Sequence, residues 1–305
     1  MTAELAIGGQ RGALARQMRQ ARRRRAWAFW ARLFSHRAFL LGFVLFGAIV
    51  VLAVGANFLA PYNPDKNDYT NFLAGPSALH WLGTDEFGRD VLSRIIFGTR
   101  VSLGVGVGAA IASGLLGTAI GALSGYVRWT DGVIMRCMDG LMAFPGVLLA
   151  ISLAAALGPS EASVIIALTV TFVPRTARIV RASVIVTSRM LYVEAALAAG
   201  AGHLRVLLRY ILANALSPLI VQLTYVFAVS ILAEAILSFI GVGPPPPAPS
   251  LGNIIAGGRT YMQEAPWVTL YPGIAIACAV LGLNLIGDGL RDTIDPRLGR
   301  IRTPK

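Results

Sequence analysis

Apolar residues in this chain run together; they neither alternate nor form narrow stripes. Six stretches, about 38–60, 101–127, 134–157, 162–182, 215–242 and 269–290, carry the roughly 20 mostly apolar residues that a helix needs to cross about 30 Å of hydrocarbon. The pattern predicts an all-α integral membrane protein with six transmembrane helices. The fourth stretch is the weakest, because Val173-Pro174-Arg175 closes its apolar part early and Arg178 and Arg181 follow at one-turn spacing. Interrupted spans of this kind face protein or water, so Arg175 and Arg178 are candidates for a hydrated path or for structural pairing. The second stretch is dense in glycine, with Gly117, Gly121 and Gly125 four apart, a spacing whose ordinary use is close helix packing. The fifth contains Glu234, past its midpoint. A carboxylate there needs a partner, such as an arginine at the outer face, or a water-lined cavity.

Between the fourth and fifth stretches lies a segment of another kind, Tyr192 to Pro218. Glu194-Ala195-Ala196 opens an alanine-rich turn, Gly200 and Gly202 interrupt it, and Leu204, Leu207, Leu208 and Ile211 recur at i, i+3, i+4 and i+7. That spacing predicts one apolar helical stripe, with Arg205 and Arg209 four apart on another face. The segment reads as two short helices joined by a glycine elbow, whose small side chains let another protein's backbone come close. An ordinary surface amphipathic helix is the plainer alternative.

The other connections are also informative. In residues 61–100, Thr84 or Asp85 can cap a helix, Asp90 can pair with Arg94 at i, i+4, and Ile95, Ile96 and Phe97 supply an apolar edge. The expected element is a short amphipathic helix lying on the outer membrane surface. Arg128 to Asp139 reads as a short turn stapled locally by Asp131, Arg136 and Asp139. Pro244 to Pro247 and Pro249 impose extended, irregular backbone after the fifth stretch. At the end of the sixth, Asp288, Arg291 and Asp292 can satisfy a helix terminus.

Composition agrees with the membrane reading: 305 residues, 55% hydrophobic and 14% charged, with a mean hydropathy of +0.66. A net charge of +12 raises the question of nucleic acid, but the basic residues sit in a tail and in short connections, which excludes that partner. With the N-terminus inside, 22 of the 27 Lys and Arg fall on the cytoplasmic side, and Lys66, Arg89, Arg94, Arg100 and Arg259 remain outside. The positive-inside rule then puts both termini and the Glu194 segment in the cytoplasm. Residues 1–37 carry nine Arg interleaved with Trp27, Phe29, Trp30 and Phe34, as in a cytoplasmic tail ending in an interfacial helix. A signal peptide competes for this region, but the apolar run of about 23 residues exceeds the usual 7–15, so it is expected to stay as a span. Cys137 and Cys278 form no CxxC pair, and His36, His80 and His203 are scattered, so no metal site is expected.

Two of these segments carry a family likeness. Glu194, Ala195, Ala196, Gly200, Ile211 and Leu212 resemble the EAA loop of ABC-importer permeases, with Ala213 standing where that pattern has proline. Leu82, Gly83, Thr84, Asp85, Gly88, Arg89, Asp90, Ser93 and Arg94 resemble the segment that marks the C-type permease of dipeptide, oligopeptide and nickel importers. The Arg128–Asp139 turn, the proline-rich loop and the C-terminal Asp288–Leu298 segment look like the same family. The resemblance implies a type I ABC-importer permease fold in a bacterial inner membrane, in contact with lipid. It also implies a second homologous permease, two ABC ATPase subunits that bind ATP and Mg, and a periplasmic or lipid-anchored solute-binding protein. On this reading Glu194 to Arg209 form the ATPase-coupling loop, and Arg175, Arg178 and Glu234 are path or structural residues. Peptide is the expected solute, with nickel, glutathione or another small solute as the alternative. The division that follows is a tail at 1–37, a first span and outer loop at 38–100, a five-span core at 101–290 with its coupling loop at about 183–214, and a tail at 291–305.

No GxxxxGK[ST] is possible with lysines only at Lys66 and Lys305, so no cofactor is expected here and ATP hydrolysis must come from another subunit. No GxSxG or HExxH appears either, and no catalysis is expected. A self-sufficient secondary transporter, the rival from another class, predicts inverted repeats and paired intramembrane charges, neither of which is visible.

Overall fold

A computed structural model describes residue 27 and residues 30–294 of the chain. The expectations for most of the basic tail and for the segment after residue 294 lie outside the described residues. Among the described residues the architecture is helical throughout, with one isolated bridge between Thr84 and Asp90 and no strand.

Helix α1, Arg37–Val54, is followed after Gly55 by the short α2, Ala56–Leu59. Helix α3, Val91–Tyr126, is one unbroken 36-residue helix, about 54 Å long at 1.5 Å per residue. It absorbs both the second apolar stretch and the segment expected to lie separately on the membrane surface. That surface helix does not exist, because the first turns of α3 have protein to pack against: Val91 and Ile95 are buried with Leu251, Ile254, Ala265 and Val268. The cap is Asp90, whose carboxylate accepts the Ser93 amide, and not Thr84 or Asp85.

The expected third span is bent. Helix α4, Arg128–Met142, and helix α5, Gly146–Leu157, meet at 89°. Pro145 disfavours helical geometry at the residue before it, and α5 alone reaches only about 18 Å. Residues 128–139 are therefore helix, not turn, and Asp131 and Asp139 pair with Arg181 and Arg178, farther along the chain. Helix α6, Glu161–Ser188, passes straight through Pro174 and is the most enclosed of the spans. After α7, Leu191–Ala198, the four-residue α8, His203–Val206, continues through a π-helical turn at Leu207–Ile211 into α9, Leu212–Ile240. Helix α10, Leu251–Gly258, starts in a capping box of Ser250 and Asn253, and α11, Trp267–Ile294, completes the bundle. Among the described residues five helices are long and apolar enough to cross a membrane, and the α4–α5 pair makes up to six.

Glycine sets the central contact. A Cβ at Gly117 would lie 2.7 Å from Thr176 Cβ, one at Gly121 would strike the Ala177 carbonyl, and one at Gly125 would lie 2.9 Å from Val184 Cβ. The Gly117–Gly121–Gly125 row is thus the seam between α3 and α6, the packing role its spacing suggests. On another side of α3, Gly106 and Gly114 admit Phe227 and Leu223 of α9. Gly282 of α11 faces Gly42 of α1 at similarly close range. The bundle has two distinct ends. Residues 60–90 and 241–266 gather at one, tied by Trp267 Nε1 donating to Thr84 O at 3.2 Å. The 189–202 elbow lies at the other, the same end at which His36 Nε2 meets Asp292 Oδ2 at 3.5 Å.

Candidate functional site

The elbow is built from a terminated helix and a docked one. Helix α7 ends in a Schellman arrangement: Gly200 N–H donates to Leu197 O (2.9 Å) and Ala201 N–H to Ala196 O (3.0 Å). Gly200 supplies the required positive φ, +83°. The chain then turns at Gly202 into α8. Val193 from α7 and Val206 from α8 are fully buried with Val180, Val184, Ile211 and Leu219, which fastens the elbow to α6 and α9. Tyr126 Oη and His203 Nδ1, 2.7 Å apart, add a tie to the end of α3.

The apolar stripe expected from Leu204, Leu207, Leu208 and Ile211 is not the buried one. Leu204 and Leu208 are 69% and 58% exposed, while Val206 and Ile211 are buried. The π turn is the reason: its i→i+5 bonds put residues five apart on one face, which replaces the α-helical register on which the stripe depended. Arg205 and Arg209 are exposed, as are Glu194, Ala195 and Gly202. Glu194 does not cap its own helix, since Met190 holds that position without a side-chain bond. The outer side of the elbow is thus an uncovered mixture of Leu191, Glu194, Leu204, Arg205 and Leu208.

At the opposite end the Leu82–Arg94 motif folds inward. Gly83 and Gly88 take φ of +79° and +71°, and a Cβ on Gly88 would strike the Asp68 carbonyl. Thr84 Oγ1 donates to Asn71 O (2.5 Å) and accepts the Ala74 amide (2.8 Å). Asp85 accepts from Arg89 Nε (2.7 Å) and from the amides of Phe87 and Arg89 (2.9 and 3.0 Å). The expected Asp90–Arg94 pair is absent. Asp90 meets His80 Nδ1 at 2.9 Å and accepts from Ser93, whereas Arg94 donates through Nη1 to Pro64 O (3.1 Å) and keeps Nε 3.4 Å from Asp85 Oδ2. Buried charges persist only when paired and hydrogen-bonded, so these residues organise the loop and do not present themselves to a ligand. Beside them, hydrogen bonds from Thr70 and Asn71 hold the half-buried Asp68 carboxylate below the usual carboxylate range. Tyr69, Phe72, Leu79 and Trp81 form the exposed apolar surface of this end.

The interior carries the remaining candidates. Glu234 is fully buried, and accepts from Ser102 Oγ of α3 (2.5 Å) and from Ser238 Oγ (2.6 Å), so neither an arginine nor a cavity is its partner. Arg178 Nη2 donates to Asp139 (2.6 Å) and Arg181 forks onto Asp131 (2.5 and 2.6 Å), clamping α4 to α6. Arg175 is left out of these pairs and lies over the Tyr225 ring at 4.6 Å. It lines a cavity of about 600 Å³ between α6, α9 and α11. Among the described residues no three His, Cys, Asp or Glu cluster at metal-ligand spacing.

A multi-pass helical bundle with a docked elbow at one end, a folded plug at the other and a cavity between α6, α9 and α11 has the architecture of a membrane transport protein. Residues 114–300 match the family described as binding-protein-dependent transport system inner membrane component, and residues 25–76 match the N-terminal TM domain of oligopeptide transport permease C. The chain is 51% identical over 267 residues to a Brucella abortus biovar 1 protein named as a peptide transport system permease, covering 88% of this chain and 90% of the relative. It is 40% identical to the dipeptide transport system permease protein of Alkalihalophilus pseudofirmus, covering 88% of each chain. It is 41% identical to the glutathione transport system permease protein of Pectobacterium atrosepticum, covering 88% of this chain and 90% of the relative. The chain belongs to the binding-protein-dependent inner membrane component family. It is an ABC-importer permease, a multi-pass protein of the bacterial inner membrane.

Proposed function

We propose that this permease imports di- or oligopeptides, driven by ATP hydrolysed on two ABC ATPase subunits. A second homologous permease shares the path, and a periplasmic or lipid-anchored solute-binding protein delivers the peptide to the loop-rich end. ATP and Mg belong to the ATPases. Relatives named for peptide, dipeptide and glutathione transport support the substrate class.

The observation that carries the coupling is the elbow. Val193 and Val206 hold its inner side against α6 and α9, while Leu191, Glu194, Leu204 and Arg205 on its outer side are exposed among the described residues. An ATPase groove takes that outer side, and closure of the ATPase pair shifts the elbow together with α6 and α9. Coupling of this kind needs two states with different contacts, and the joint at Gly200 separates them. The positive-inside asymmetry supports a cytoplasmic elbow and cytoplasmic termini.

The test is purification of the tagged chain from its own membrane in mild detergent, beside Glu194→Lys. The wild type is expected to bring a second permease and ATPase activity with it, and the variant to lose the ATPase. A wild type that imports peptide alone, with no ATPase partner, would make the protein a secondary transporter.

A further inference from the structure

Arg175 is an anomaly for a membrane helix. It is the fifteenth residue of the 28-residue α6, so about 20 Å of helix separates it from either end, yet its side chain is exposed. No carboxylate of the described residues is within ion-pair distance of it; its guanidinium donates to Tyr225 Oη at 3.2 Å and stacks on that ring. A cation at this depth does not face lipid. It faces the cavity between α6, α9 and α11, which also takes in Gln222, Asn284, Asp288 and Arg291. Gln222 is only 6% exposed and its amide Nε2 has no hydrogen-bond partner among the described residues. Gln222 lies midway along the His203–Ile240 helical run, level with Arg175, whereas Asp288 and Arg291 sit near the elbow end of α11.

The wall thus offers a half-satisfied guanidinium and an unsatisfied amide midway along their helices, with Asp288 and Arg291 nearer the elbow end. The lining carries two cations and one anion, so its net sign is positive. We infer that this cavity is a transit site for the peptide, in which Arg175 receives the C-terminal carboxylate and Gln222 Nε2 donates to a backbone carbonyl. The inference rests on the peptide-import reading above. A guanidinium suits a carboxylate because two parallel N–H donors match its two oxygens. Tyr225 holds the guanidinium side-on, which leaves further donors free for the solute.

The experiment uses the whole importer with its binding protein in proteoliposomes and measures ATP-driven uptake of trialanine and of trialanine C-terminal amide. The binding protein's own preference is the same for every variant and cancels in the acid-to-amide ratio. Arg175→Gln is expected to lower that ratio about ten-fold, as loss of one charge-assisted pair, and Arg175→Lys to restore part of it. Gln222→Leu is expected to lower uptake of both forms together. An unchanged ratio in Arg175→Gln overturns the site, whether uptake of both forms falls equally or stays as in the wild type. Loss of the second permease on purification of Arg175→Gln also overturns it, because the cavity then holds a partner helix. A wild-type importer that assembles, hydrolyses ATP and takes up neither peptide overturns the peptide reading itself, a result visible before any variant is compared.

Discussion

Glu234 lies wholly inside the bundle, and the groups that hold it are two serine hydroxyls, one from its own helix and one from α3. Glu234→Gln keeps the volume and one acceptor and is expected to cost at most about 1 kcal/mol, whereas Glu234→Ala opens a hole and orphans both hydroxyls, at about 2–4 kcal/mol. Thermal melts of the detergent-solubilised protein compare the two, and equal losses would make the hydrogen bonds irrelevant. Gly121→Leu forces a side chain into the Ala177 carbonyl and is expected to cost about 1–3 kcal/mol or more, while Gly104→Leu, with open space around it, is expected to stay within about 0.5 kcal/mol. That a carboxylate in a span needs a partner follows from chemistry alone. That Ser102 supplies it does not, because the two residues meet only through the relative register of two helices 132 positions apart in the chain. The same limit applies to Asp90 and Arg94. Their spacing suggested an i, i+4 pair, but the loop folds back and gives each a different partner, His80 and Pro64 among them.

Among the elements, the elbow tests how much one glycine decides. Asparagine tolerates positive φ, so Gly200→Asn is expected to keep most uptake; Gly200→Val forces a β-branched side chain into that conformation and is expected to abolish coupling while leaving the protein in the membrane. Uptake assays on vesicles, normalised to the amount of protein present, separate these outcomes, and full transport by Gly200→Val would remove the elbow from the mechanism. The glycine elbow and the six apolar stretches were legible because composition and local backbone preference act within a few residues. The π turn was not, since it replaces one register with another without a residue that announces it. Nor was the continuity of α3 through Arg94 and Arg100, because only packing against α10 and α11 makes those turns helical and buried instead of superficial. Helix α10 was missed although Ser250 and Asn253 stand three apart, a capping spacing masked by the prolines before it.

For the whole molecule, the charge asymmetry makes a claim about sidedness. With Cys137 and Cys278 replaced by serine, a cysteine at His203 is expected to react only with a membrane-permeant maleimide in intact cells, and one at Tyr69 with an impermeant one. The reverse pattern would invert the protein. The bundle itself was legible in outline, and its bent third span was not, because a 15-residue helix with four charges and a 12-residue apolar one look like a single run until Pro145 is seen to turn them. The length of α3 has one further consequence. It is a single stiff rod that begins inside the plug of one face and finishes against His203 of the elbow, and the glycines along it let side chains of α6 and α9 press close to its backbone. A rod pivoting at its waist is a seesaw: a tilt of about 5° moves each end of a helix about 54 Å long by roughly 2 Å, in opposite directions. A displacement at the plug can therefore reach the elbow as plain leverage, without any helix having to unwind.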